Sequence, residues 1–125
     1  MTSLDLGLAA MAAMDENAAR VREVATRLLE EHAGGLPELL AVRLEGSSWR
    51  AHISLQPHTE AGVRAWAEAL GAPEPTVDFA EPVDGFGKVN SSTEFVVDGV
   101  DVRIGTCEWL SLSEWAARVA GEVSS

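Results

Sequence analysis

Four side chains in this sequence have the chemistry for acid–base, metal or nucleophilic work: His32, His52, His58 and Cys107. His52 and His58 form the better pair, but a separation of six puts them on one strand face only if a strand runs through Pro57, whose ring removes a ladder donor. Zinc pairs carried on a helix stand at i and i+4, and no two histidines here have that spacing. His32 falls on the apolar stripe of a predicted helix near its C-terminal end, where the helix dipole favours an imidazolium. A nucleophilic cysteine needs a cation or helix N-terminus to lower its pKa, and a base within reach. Cys107 lies four residues ahead of the nearest predicted cap, Ser111, and reads as a small structural thiol. As the only cysteine, it excludes an intramolecular disulfide and a thiolate cluster. No catalytic residue, metal-ligand set or cofactor is expected.

Residues 82–92, PVDGFGKVNSS, read as the longest irregular loop of the chain. They do not make a phosphate-binding loop, because Pro82 takes the first glycine position, Val89 stands where Ser or Thr must hold the metal, and a strand rather than a helix follows. Loops of this length are where ligands are contacted, so Phe86, Lys88 and Asn90 are the candidate ligand-contacting residues. The many carboxylates match no calcium-loop spacing and read as solvated charge.

The elements that must position these groups follow from periodicity. Residues 1–14 form an apolar N-terminal segment, flexible or interface-forming, with Leu4, Leu6 and Leu8 before a run of Ala and Met. A single domain is expected over 15–121, with 122–125 a frayed tail. Asp15 is placed to cap a helix with apolar positions Val21, Val24, Ala25 and Leu28, ended by Gly34-Gly35. Two alternating runs follow, Leu40, Val42 and Leu44, then Trp49, Ala51, Ile53 and Leu55, joined by Gly46-Ser47-Ser48 as a hairpin. Thr59 or His58 caps a second helix with the stripe Val63, Trp66, Ala67 and Leu70, closed by Gly71. Val77-Asp78-Phe79 is a short edge strand between Pro75 and Pro82. Asp98-Gly99 sits between alternating arms and predicts a two-residue hairpin turn. Ser111 and Glu114 form a capping box for a last helix bearing Leu112, Trp115, Ala116 and Val119. The order α-β-β-α-β-β-β-α, with strands grouped in hairpins, predicts an α+β fold with a mostly antiparallel sheet of about five strands and helices on one face.

A length of 125 residues suits one domain able to bury its own core. The net charge of −11, with nine scattered basic residues, disfavours nucleic acid and anionic membrane as partners. No apolar run is long enough to span a bilayer, the N-terminal segment lacks the basic start of a signal peptide, and the cysteine content carries no disulfide framework, so a cytoplasmic location is expected. Eight arginines against one lysine fit translation from a GC-rich genome.

Trp-x-x-His-Ile-Ser-Leu-Gln at 49–56, Arg-Ala-Trp-Ala-Glu-Ala-Leu-Gly at 64–71 and Val-Asp-Gly-Val-x-Val at 97–102 resemble small proteins of high-GC actinobacteria and their phages. Those motifs are structural. The resemblance implies an α+β fold and a source, and it supplies no activity, substrate or catalytic residue.

Three functions are compatible with these features. The first is a non-enzymatic accessory protein, phage-encoded or regulatory, that docks a protein partner or its own copy through Leu8, Met11, Met14 and Trp109, the apolar residues outside the predicted core. The second is a DNA mimic, which needs carboxylates in rows spaced like phosphates. The third is a small enzyme using His52 or Cys107 near 82–92, which needs those side chains to converge.

Overall fold

The computed structural model describes residues 1–124. Its first helix, α1 (Ser3–His32), begins well before the apolar stripe that predicts it. Thr2 is the cap: its hydroxyl accepts the Asp5 N–H at 3.1 Å, and the Asp5 carboxylate accepts the Thr2 N–H at 3.0 Å. This reciprocal box satisfies two donors left free at a helix start. The boundary expected between residues 14 and 15 thus falls inside a continuous helix, and Asp15 is a mid-helix residue rather than a cap.

The remaining elements are β1 (Leu39–Gly46), β2 (Ala51–Pro57), α2 (Glu60–Leu70), β3 (Thr76–Val83), β4 (Phe86–Val97), β5 (Val100–Ser111) and α3 (Leu112–Ser124). They follow the expected α-β-β-α-β-β-β-α order and form an α+β fold. Their caps are those the sequence names. Thr59 accepts the Gly62 N–H at 3.1 Å, Gly71 closes α2 at φ 71°, and Ser111 accepts the Glu114 N–H at 3.3 Å. The expected tail at 122–125 overlaps α3, which runs to Ser124; Ser125 lies outside the described residues.

The five strands make one sheet in the order β1-β2-β5-β4-β3. Neighbours pair antiparallel except β2 and β5, which run parallel with His52 opposite Asp101 and Leu55 opposite Ile104. A parallel pair needs a long crossover, and α2 with the β3–β4 hairpin supplies it. The sheet is therefore mixed rather than wholly antiparallel.

Residues 82–92 fold differently from the loop their sequence predicts. These residues are not an irregular loop: Asp84 (φ 53°) and Gly85 (φ 82°) make a tight turn between β3 and β4, and Phe86, Lys88 and Asn90 are strand residues. Lys88 pairs across the ladder with Trp109 and Asn90 with Cys107. Pro82 is tolerated because β3 is an edge strand.

All three helices pack on one face of the sheet. Ile53, Leu55, Val100, Val102 and Ile104 meet Val21, Val24, Ala25 and Leu28 of α1 and Val63, Trp66 and Ala67 of α2. Trp66 is 1% exposed, and its indole N–H donates to the Pro37 carbonyl at 2.8 Å. At the far end α3 docks by Trp115, whose ring meets Phe79 edge-on at 6.4 Å. Arg118 of α3 bonds both Glu60 and Glu108, and Glu108 accepts the Glu60 N–H at the start of α2. One guanidinium thus ties α3, α2 and β5 together.

Candidate functional site

The register of α1 defines the first candidate surface. Positions 4, 7, 11, 14, 18, 21, 25 and 28 step by three and four, the spacing of a helix-pairing seam. In the C-terminal half this seam is core: Val21, Ala25 and Leu28 are 3%, 4% and 7% exposed. Contact with the sheet begins at Asn17, which donates to the Ser47 carbonyl at 2.7 Å, and at Ala18, which lies against Gly46. N-terminal to Asn17 no residue is buried. Residues 3–16 therefore continue past the sheet for roughly 21 Å at 1.5 Å per residue. Leu4, Leu6, Leu8, Met11 and Met14 stay exposed there.

The middle of this projecting half is apolar on every face, between Asp5 on one side and Asp15 and Glu16 on the other. From Leu6 to Met14 nine consecutive residues carry no charge. A helix of that composition is normally buried, because no face of it prefers water. The apolar surface does not stop at α1. Trp49, expected on the covered face of β2, lies instead in the turn between β1 and β2, and this turn is the part of the sheet that Asn17 grips. Val42 and Leu44 of edge strand β1 pair with Leu55 and Ile53 and so face the helical side, yet they remain more than a third exposed, as does Leu40 at the bulge of the same strand. Together these side chains extend the exposed apolar surface from α1 onto the adjoining end of the sheet.

Trp109 does not join this surface. It is exposed near the far end of β5, on the opposite face, with the Lys88 ammonium 5.6 Å from its ring centroid. The four expected interface residues therefore divide into Leu8, Met11 and Met14 at one end of the molecule and Trp109 at the other. Trp49 was missed because residues 49–55 alternate as a strand should, although the strand starts only at Ala51.

The histidines are not brought together. His32 ends α1, with Nε2 3.7 Å from Glu31, His52 lies on the open face of β2, and His58 is exposed between β2 and α2. His52 Nδ1 is 3.0 Å from an Arg50 Nη2. Burial, and next the Arg50 charge, push its pKa below the usual imidazole value and so favour the neutral ring. Cys107 does sit beside Asn90, but it is six residues along β5 from the Asp101 that faces His52. At about 3.3 Å per residue that is roughly 20 Å, so His52 and Cys107 do not converge. Among the described residues no group of three His, Cys, Asp or Glu is placed to hold a metal ion, and no helix is long and apolar enough to cross a membrane.

The open face of the sheet is the second candidate surface. No helix covers it, and its central side chains are small or polar: Ser54 and Gln56 on β2, Gly105 and Cys107 on β5, Asn90 and Ser92 on β4. A half-open recess of about 160 Å³ lies among them, with Arg43 and Arg103 on its rim. Phe86 and Lys88 take no part in it, whereas Asn90 does.

Comparison with known protein families, with curated protein sequences and with solved structures gives no match to this chain.

Proposed function

We propose that this chain is a non-enzymatic docking protein, accessory or regulatory, that works through protein–protein contacts, and that the first occupant of its projecting helix is a second copy of the chain. One observation carries the reading: the N-terminal half of α1 is helical, uncharged over nine residues, and leaves Leu4, Leu6, Leu8, Met11 and Met14 exposed. A helix leaving that much apolar surface in water gains by covering it.

Two features favour a second copy. With a net charge of −11, two copies repel each other wherever their surfaces are acidic, and Leu6–Met14 is free of charge. The seam is also self-complementary when two such helices run antiparallel about a two-fold axis. Leu4 then faces Met14 of the other copy, and Met11 faces Gly7, a long flexible side chain over a missing one. Nothing stands within 4 Å of where a Gly7 Cβ would be, so that notch is free to receive a partner. Trp49 and the exposed β1 side chains widen the surface that a partner could cover beyond the helix itself.

The test replaces Leu8, Met11 and Met14 together by serine. Wild type should run as a dimer by light scattering at micromolar concentration. The variant should be monomeric, with its dissociation constant raised roughly a hundredfold or more, since each such side chain contributes ~1.5–3 kcal/mol when fully buried. A monomeric wild type that captures a stoichiometric foreign protein, lost in the variant, would keep the docking role and replace the second copy. Association unchanged by the triple substitution would overturn the reading.

A further inference from the structure

Gly105 stands buried in the middle of β5, a central strand, with no positive φ that would call for glycine. Glycine weakens a strand interior, so a central one often marks a close approach by another group. Here that group is the Arg103 guanidinium: a Cβ on Gly105 would stand 2.7 Å from Nη1 and 2.9 Å from Cζ. The missing side chain lets the guanidinium lie flat against the sheet.

Cross-strand register then sets a second arginine opposite it. Arg43 pairs with Ser54 on β2, and Ser54 pairs with Arg103 on β5. The two arginines point to the same face across one intervening strand, about 10 Å apart at Cα given a strand spacing of ~4.8 Å. Between them lies the half-open recess of about 160 Å³, with Ser54, Gln56, Asn90 and Cys107 among the residues that line it.

Its charge sets this recess apart. The chain has twenty carboxylates against nine basic side chains, and none of the carboxylates lines it. Four other recesses each include at least one: Glu23, Glu94, Glu74 and Glu114 respectively. Arg43 has no ion pair among the described residues, and Arg103 meets Glu94 only through Nε at 3.8 Å, leaving both Nη groups unengaged by that carboxylate. Arg22 also lacks an ion pair, but it shares its recess with Glu23, Glu30 and Glu31.

We propose that this recess binds the oxyanion of a small molecule, a phosphate ester or a carboxylate. Two guanidinium forks fit the paired oxygens of either group. The Gln56 and Asn90 amides and the Ser54 hydroxyl supply further donors. The site is independent of the α1 contact, which lies at another part of the molecule.

The test is a titration of amide NMR shifts with inorganic phosphate and, separately, with malonate, at constant ionic strength. The Ser54, Asn90 and Gly105 amides should shift and saturate with at least one probe. Arg43→Gln and Arg103→Gln should each weaken that binding by ~10-fold or more, the loss expected for a hydrogen bond to a charged group. Arg22→Gln should leave it unchanged, and all three variants should melt like wild type without added anion. Saturation with phosphate alone identifies a phosphate ester, with malonate alone a carboxylate, and with both a general oxyanion site. Absence of saturable shifts at these amides with either probe, or equal weakening by Arg22→Gln, would overturn the proposal.

Discussion

The two halves of α1 share one seam and differ in everything that surrounds it. Ala18, Val21, Ala25 and Leu28 hold the same positions on the helix as Leu4, Gly7, Met11 and Met14. The first set is covered by β1, β2 and β5, while the second leaves the sheet behind and stays exposed. The apolar residues of the projecting half are as bulky as those of the packed half, so hydrophobicity alone does not decide which half is core. What decides is where the sheet ends. C-terminal to Asn17 the helix has strands beneath it, and N-terminal to Asn17 its large apolar side chains stay exposed.

Substitutions along this one helix should therefore grade from severe to silent. Leu28→Ala removes a buried side chain of the core cluster, and should cost ~2–4 kcal/mol in urea unfolding. A loss below about 1 kcal/mol would mean that the packed half is not part of the core. Gly46→Ala comes next. Its Cβ would stand 2.5 Å from the Ala18 Cα, a backbone atom that cannot swing aside, so lifting the helix should cost ~1–3 kcal/mol. If the variant melts with wild type, α1 is not held that closely against β1. Asn17→Ala deletes the last clamp before the projection and should cost ~0.5–1.5 kcal/mol, with hydrogen exchange rising first around residues 46–50. Exchange that rises evenly over the molecule would argue against a local clamp. Smallest of all is Met11→Ser, which should change the stability of the dilute monomer by less than ~0.5 kcal/mol. The same change should flatten the rise of melting temperature with protein concentration that a self-associating wild type must show. A large loss in the monomer would mean that Met11 is already covered within one chain.

The two tight hairpins show where reading from sequence reaches its limit. Asp98-Gly99 and Asp84-Gly85 adopt nearly the same geometry, with φ of 48° and 79° in one and 53° and 82° in the other. The first is legible because Phe95, Val97, Val100 and Val102 alternate around it. The second is hidden because Pro82 and Gly87 interrupt the pattern and β4 continues with Lys88, Asn90, Ser91 and Ser92, polar on both faces. Gly87 is explained by Trp115, an α3 side chain that packs over it from 28 positions away in the chain. No local rule anticipates such a contact.

The candidate surfaces divide in the same way. Leu8, Met11 and Met14 are legible as apolar residues outside the predicted core, because a charge-free run is visible in one dimension. Trp49 is misread as a strand residue, since alternation continues past the point where pairing stops. The arginine recess cannot be seen at all: Arg43 and Arg103 are 60 positions apart, and they meet across Ser54 only because β5 lies parallel to β2.

Local chemistry determined the helices with their caps at Thr59, Gly71 and Ser111, the α+β class, and the turn at Asp98-Gly99. These depend on hydrogen bonds and side-chain periods within a few residues, and a linear sequence carries that information. The tertiary structure decided the parallel β2–β5 pairing, the end of the sheet beneath α1 and the bed that Gly105 makes for Arg103. Each of these depends on which distant strands become neighbours, a choice made by burial of the whole covered face at once.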